Sequence, residues 1–196
     1  MHPFEFYLKL GFEHIANLNG FDHILFLVAL CAVYQIKQWK RILILVTAFT
    51  IGHSITLFLV SLNLFTIPSR IIKILIPTTI MLTSLQNSRA VDRNDSFSSM
   101  SKNYAIALFF GLIHGMDFSN YFRALILSPD DILIPLFGFN MGIELGQLVI
   151  VLIIVLIAFI FLNVLKVKHQ KWNLFISGAA FGISFISIVE ILFEVR

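Results

Sequence analysis

The chain has 196 residues, of which 58% are hydrophobic and 13% are charged, and its mean hydropathy is +0.91. Soluble domains carry about 25% charged residues, and a soluble fold of this length cannot bury so much apolar surface. The composition therefore excludes a soluble protein and predicts an integral membrane protein in contact with lipid. The net charge of +3 comes without the basic patch that nucleic-acid binding requires, so no nucleic-acid partner is expected.

Long apolar stretches separated by polar connections predict an all-α, polytopic membrane protein that forms one domain over residues 1–196. Residues 3–17 mix aromatic and charged side chains, a composition too polar to span a bilayer and typical of an interfacial helix. A break is expected at Asn19 and Gly20. About six transmembrane helices are then predicted, over about residues 20–36, 41–63, 69–86, 103–118, 132–165 and 172–193.

Glycines at four-residue spacing occur in three of the predicted spans. They are Gly111 and Gly115 in the fourth span, Gly138, Gly142 and Gly146 in the fifth, and Gly178 and Gly182 in the sixth. Such Gly-x-x-x-Gly faces let helix backbones approach closely, so we expect them to pack against a neighbouring helix or a second copy of the chain. The fifth apolar stretch is longer than a bilayer requires, so it must tilt or break near its glycines.

The Lys and Arg residues of the connections predict the orientation. The connections after the first, third and fifth spans hold nine of them, and the opposite side holds five. Because cytoplasmic loops carry an excess of Lys and Arg, the nine are expected to be cytoplasmic and both termini to be outside. The expected location is a bacterial inner membrane.

Three histidines and two acids lie within or at the ends of the predicted spans, where ionisable groups are costly and mark functional sites. They are His23, His53, His114, Asp22 and Glu144. Counted at ~1.5 Å per residue along each span, all five lie in the outer half of the bilayer or near its midplane. This shared depth predicts a single site built from four helices.

Further polar residues are expected to support this site from the same helix faces. The fifth span places Asn140, Glu144 and Gln147 on one face, and the second span does the same with Thr50, His53 and Ser54. Two other residues are open to either assignment. His14 is either a ligand or an interfacial side chain, and Asp117 is either a carboxylate of the site or a helix-end group.

Imidazole and carboxylate groups together suit Ni²⁺, Zn²⁺, Co²⁺ or Cu²⁺. A divalent transition metal, nickel or zinc, is therefore the expected cofactor or ligand. Asp22, Glu144 and Asn140 are either ligands themselves or partners that orient the histidines. The alternative is an internal hydrogen-bond network that only fixes helix packing.

Four segments in order along the chain carry a family resemblance: Gly20–Phe26, Thr47–Thr56, Phe110–Gly115 and Phe139–Gln147. In these segments the chain resembles the HupE/UreJ membrane proteins, and the resemblance covers the first five spans. It implies a nickel-permease-like function, because the family is associated with nickel uptake for hydrogenase and urease. It also implies metal roles for Asp22, His23 and His114, and by position for His53 and Glu144.

Three functions are compatible with such a site. A permease for a nickel- or cobalt-type ion needs a polar path to the cytoplasm, for which the candidates are Thr47, Thr50, Thr78, Thr79 and Thr83. An intramembrane zinc hydrolase acting on a lipid or peptide needs a metal with an open position for water, and Glu144 would act as its general base. A structural accessory subunit needs neither.

Overall fold

The computed structural model describes residues 3–64, 67–89, 97–125 and 132–193, and within these ranges the chain is helical without strands. The described helices are α1 (Pro3–Ala16), α2 (Asp22–Ala32), α3 (Trp39–Ser61), α4 (Ser69–Arg89), α5 (Phe97–Leu125), α6 (Leu133–Phe159) and α7 (His169–Phe193). Short 3₁₀ segments at Leu18–Gly20 and Ile36–Gln38 precede α2 and α3, and a π-helical turn at Ile160–Val164 extends α6. The all-α prediction is confirmed.

Three of these helices are long and apolar enough to cross a bilayer, namely Ile36–Ser61, Leu133–Val164 and His169–Phe193. Helix α2 is equally apolar but has only 11 residues. Helices α4 and α5 are long but carry polar residues along faces that are buried in the bundle. The chain is therefore a polytopic membrane protein, and the count of six spans stays a prediction.

Glycines bring α3 and α5 into backbone contact. A Cβ atom added at Gly52 would overlap the carbonyl oxygen of Leu108, and one added at Gly111 would overlap the carbonyl oxygen of Phe49. The two helices run parallel at this contact, since residues 49 to 53 lie beside residues 111 to 115. Close approach through small residues is the usual way in which membrane helices associate, and here it places the middle of α3 beside the middle of α5.

A second glycine contact joins α1 to α6. Added Cβ atoms at Gly11 and Gly142 would overlap the carbonyl oxygens of Phe139 and Leu8, respectively. The fifth span was expected to tilt or to break near its glycines; α6 continues unbroken through them, and they receive α1. The tilt stays a prediction. The Gly-x-x-x-Gly faces of α5 and α6 thus serve contacts within the chain, whereas Gly178 on α7 meets nothing within 4 Å. Self-association of the chain stays a prediction.

Helices α1 and α2 run one after the other along α5, in the opposite direction. Five contacts follow in order from one end of α5 to the other: Tyr7 with Leu125, His14 with Phe118, His23 with His114, Phe26 with Phe110, and Tyr34 with Asn103. The interruption between α1 and α2, over residues 17–21, therefore lies near the middle of the bundle. The bounds of α1 agree with the predicted N-terminal helix over 3–17, and its position relative to the membrane stays a prediction.

A buried polar network joins α2, α4 and α7 beyond the middle of the bundle, toward the end at which α2 stops. The side-chain amide of Asn87 donates to the carbonyl oxygen of Ala29 at 2.7 Å, and that of Asn173 donates to the carbonyl oxygen of Asn87 at 3.0 Å. The Ser177 hydroxyl donates to Asn173 Oδ1 at 3.0 Å. The sequence named only threonines as candidates for a polar path toward the cytoplasm, and the amides of Asn87 and Asn173 are further polar groups in this half.

Candidate metal centre

Four imidazole rings meet where the chain passes from α1 to α2. His14 lies in the last turn of α1 and His23 in the first turn of α2, while His53 and His114 come from the middle of α3 and α5. The ring centres of His14 and His23 are 4.7 Å apart, and those of His23 and His114 are 5.2 Å apart. His53 lies 5.7 Å from His14 and 5.9 Å from His23. These four rings are called the histidine cluster below.

The rings of the histidine cluster have unpaired nitrogen atoms. His14 Nε2, His23 Nε2, His114 Nδ1 and both ring nitrogens of His53 are buried without a hydrogen-bond partner. Leaving one buried polar atom unpaired costs about 1–3 kcal/mol, and most such atoms in native proteins are paired. Five in one place indicate a site for a polar ligand. These nitrogens do not bond to one another, and the alternative of a hydrogen-bond network that only fixes helix packing stays a prediction.

Thr79 of α4 orients one of these rings. Its hydroxyl lies 2.9 Å from His114 Nε2 and donates to the Ile76 carbonyl oxygen at 2.7 Å. A hydroxyl has a single proton, so both contacts are satisfied when His114 Nε2 carries a proton and donates it to Thr79. His114 Nδ1 is then the atom with the free lone pair. Fixing an imidazole tautomer through the ring nitrogen that does not bind the metal is typical of metal-binding histidines.

The distances between the rings suit a shared metal ion, whereas the present orientations of the rings do not. With metal–nitrogen bonds of about 2.1 Å, imidazole rings that share a tetrahedral ion lie about 5 Å apart between centres. The observed separations of 4.7 to 5.9 Å match this value. Among the described His, Cys, Asp and Glu side chains, however, no three are already arranged to hold a metal ion. An ion held by three of these side chains therefore requires a change in their arrangement.

Aromatic side chains surround the histidine cluster. The ring of His14 lies 4.2 Å from that of Phe118, which stacks on Phe139 at 4.8 Å. On the opposite side, Phe26 and Phe49 each lie 5.1 Å from His114. These apolar walls exclude water and lower the local dielectric constant, so an interaction between an ion and the imidazoles is stronger here than in water.

Two carboxylates lie next to the histidine cluster. Asp22 precedes His23 and is half-buried, and Asp117 is exposed three residues after His114 on α5. The two carboxyl groups are close enough for their like charges to interact, and the positive charge of Lys73 on α4 interacts with Asp117. Each acid thus lies within one helical turn of a cluster histidine along its own helix. Whether Asp117 is a carboxylate of the site or a helix-end group stays as predicted.

The acid predicted on the fifth span has a different partner. Glu144 is half-buried and accepts a hydrogen bond from the Thr47 hydroxyl at 2.7 Å, and Gln147 accepts one from Thr50 at 2.7 Å. These pairs join α3 to α6, and the same face of α6 carries Asn140, whose Oδ1 is buried without a partner. A metal role for Glu144 stays a prediction, and its observed contact is with Thr47.

The hydroxyl groups of Ser54 and Thr79 each donate to a backbone carbonyl oxygen of their own helix. The Ser54 hydroxyl donates to the Thr50 carbonyl oxygen of its own helix at 2.7 Å, so it satisfies the backbone. Thr79 was expected only on a path through the membrane, and it binds His114. Pro77 lacks a backbone N–H, but the carbonyl group that loses its donor is that of Lys73, four residues earlier, so Pro77 gave no signal for the contact of Thr79.

Comparison with known proteins gives one match. The family model described as HupE / UreJ protein matches residues 1–193. No curated protein and no solved structure matches the chain. The matched range includes every helix described above and all four residues of the histidine cluster. The chain belongs to the HupE/UreJ family of membrane proteins.

Proposed function

We propose that this protein is a permease for a divalent transition metal of the nickel and cobalt type, and that the ion is its cargo. Family membership supports a role in metal transport. The observation that carries the proposal is the histidine cluster, in which five buried nitrogen atoms lack a partner at the middle of the helical bundle. Neutral imidazole is a good ligand for nickel, cobalt, copper and zinc and a poor one for magnesium or calcium.

The two carboxylates and the histidines suit successive steps of ion uptake. A hydrated divalent cation is attracted first by charge, which Asp117 and Asp22 supply near the surface. The imidazoles of the histidine cluster then replace part of its water shell. Ion conduction requires binding that is strong enough for the ion to enter and weak enough for it to leave. Neutral ligands in the cluster, with the charged ligands kept outside it, satisfy that requirement.

The orientation follows from the distribution of basic residues. With both termini outside, the end of α5 at Leu125 and the acids Asp22 and Asp117 face outward, and the C-terminal end of α2 faces the cytoplasm. The two acids then lie on the side from which a scarce metal is taken up. A bacterial inner membrane is the location that this orientation supports.

The two other functions have less support. An intramembrane hydrolase needs a general base within hydrogen-bond reach of the metal-bound water, and the Glu144 carboxylate is instead bonded to Thr47. A purely structural subunit gains nothing from five unpaired buried nitrogen atoms, since each one lowers stability. Transport gives both the cluster and the acids a role.

Uptake into sealed proteoliposomes tests the proposal. Vesicles containing the purified protein are expected to accumulate Ni²⁺ or Co²⁺, followed with a metal-sensitive dye in the lumen. His23→Ala and His114→Ala should each reduce the rate about tenfold or more. His169→Ala, at the start of α7 and outside the cluster, is the control and should keep the wild-type rate. Absence of flux for every first-row divalent ion, with zinc still tightly bound, would reject the permease and favour the hydrolase.

A further inference from the structure

A layer of three phenylalanines closes one side of the histidine cluster. Phe26 follows His23 by three residues on α2, and Phe49 and Phe110 precede His53 and His114 by four residues on α3 and α5. Because α2 runs opposite to α3 and α5, all three rings are displaced from the cluster toward the same end of the bundle. The displacement is about one helical turn, or roughly 5 Å.

Phe26 occupies the centre of this layer. It has no exposed surface, and it stacks on Phe49 with ring centres 4.8 Å apart and an interplanar angle of 27°. Its edge meets Phe110 at 6.2 Å, and its ring centre lies 5.1 Å from that of His114. The three rings offer no ligand to an ion, and Phe26 is in contact with both of the others.

A polar cavity lies on the far side of the same layer. It has a volume of about 50 Å³, enough for a water molecule or a partly hydrated ion, and its walls include Phe26 and Phe110. The rest of its lining is mixed: Thr83, Asn87 and Asn103 are among five polar residues, and five others are apolar. Phe26 thus separates a group of nitrogen ligands on one side from a group of oxygen ligands on the other.

One face of α4 connects the two sides. Thr79, Thr83 and Asn87 follow at four-residue spacing, which aligns them along one face of a helix. All three are buried. Thr79 binds His114 in the cluster, whereas Thr83 and Asn87 line the cavity. Their oxygen atoms offer ligands beside the aromatic layer at the depth where the phenylalanines offer none.

We propose that Phe26, with Phe49 and Phe110, forms the inner gate of the permease, and that the polar cavity is the vestibule from which the ion leaves. This inference rests on the proposed transport function. The gate is closed in the structure described here. Movement of the Phe26 ring out of the layer would join cluster and vestibule along the α4 face, so that the ion exchanges imidazole nitrogens for the hydroxyl oxygens of Thr79 and Thr83.

Transport measurements give the first test. Phe26→Ala should release preloaded Ni²⁺ from proteoliposomes about tenfold faster than wild type, because a hydrophobic constriction has been removed. Affinity for Ni²⁺, measured by titration in detergent, should stay near the wild-type value. Phe26→Leu keeps the layer closed and should release at the wild-type rate. Phe109→Ala, which truncates an exposed ring beside Phe110, is the matched control. Equal release by all four proteins would overturn the gate.

Thiol labelling gives a second test that does not depend on transport. In a Cys31→Ala background, Thr83→Cys reports on the vestibule and Thr79→Cys on the cluster side of Phe26. A small charged methanethiosulfonate added at the α2 C-terminal side should label Thr83→Cys and leave Thr79→Cys unmodified. Adding Phe26→Ala should make both positions reactive. Labelling of Thr79→Cys with Phe26 intact, or failure of Thr83→Cys to react, would overturn the proposal.

The two tests separate the gate from the transport function. If no ion enters wild-type vesicles but the labelling follows the expected pattern, the aromatic barrier stands and the permease proposal fails. If wild type takes up Ni²⁺ but Phe26→Ala changes neither release nor labelling, the permease stands and the gate is wrong.

Discussion

Alanine substitutions at three glycines should destabilise the protein in the order set by the space around each one. At Gly178 an added Cβ meets nothing within 4 Å, at Gly115 it would lie 2.6 Å from the carbonyl oxygen of His53, and at Gly52 it would overlap the carbonyl oxygen of Leu108. Gly52 and Gly115 hold α3 against α5, the helices that carry His53 and His114. The order therefore tests the contact that positions half of the histidine cluster.

The magnitude follows from the same distances. Real Cβ contacts shorter than 3.0 Å essentially never occur, so Gly115→Ala must lengthen its 2.6 Å separation by about 0.4 Å. Gly52→Ala requires a larger displacement. Overpacking of this kind costs about 1–3 kcal/mol, and each kcal/mol lowers Tm by about 2–4 °C in a chain of this size. We expect Tm to fall by about 2–4 °C for Gly115→Ala and by up to about 12 °C for Gly52→Ala.

Thermal unfolding of the purified variants in one detergent is the assay, with uptake measured in parallel. Gly178→Ala should unfold at the wild-type temperature or slightly above it, since alanine favours a helix more than glycine does. A loss of Tm for Gly178→Ala as large as that for Gly52→Ala would refute the reasoning. So would an unchanged Tm for Gly52→Ala, because α3 and α5 would then not be in backbone contact.

Three further predictions concern the ion and the orientation. Thr79→Val should weaken Ni²⁺ binding about 10–100-fold. Thr78→Val should leave Ni²⁺ binding unchanged, because the Thr78 hydroxyl donates to a carbonyl group of its own helix. Equal affinities of the two variants in a detergent titration would reject the orienting role of Thr79. The purified protein should carry about one divalent ion per chain, and elemental analysis should show its loss in His53→Ala and His114→Ala; wild-type metal content in both would exclude the cluster as the binding site. Reporter fusions after Asn94 and at the C-terminus should report the cytoplasm and the outside, respectively, and a cytoplasmic C-terminus would reverse the orientation.

The meeting of His23, His53 and His114 could be predicted because depth in a bilayer follows directly from position along a helix. Polar side chains are costly where they face lipid. When several helices carry them at the same depth, these side chains are expected to face one another. The same counting could not place Glu144. Depth does not determine the direction in which a helix face points, and the rotation of α6 that pairs Glu144 with Thr47 depends on packing against α1 and α3.

The charged residues of α1 kept its packing against α6 from being predicted from the sequence. Lys9 and Glu13 form an exposed ion pair with 3.6 Å between Nζ and Oε1, and their polarity suggested a helix at the membrane interface. The opposite face of α1 carries Gly11 and Ile15, which are buried. A single glycine gives little signal in the sequence, although it sets how closely α1 lies against α6. For this reason His14 could not be assigned from the sequence, and only the packing brings it to the cluster.

The pairing of α1 with α6 has a consequence for the order of assembly during synthesis. The surface that receives Gly11 begins more than a hundred residues after α1 ends, so α1 leaves the ribosome long before its partner exists. Helix α1 is too short and too charged to enter a bilayer alone. We therefore expect α1, although it is made before α6, to be packed only after α6 is present. The histidine cluster is then completed only after α6 has been inserted, and a nascent chain that stops before α6 lacks His14 at the site.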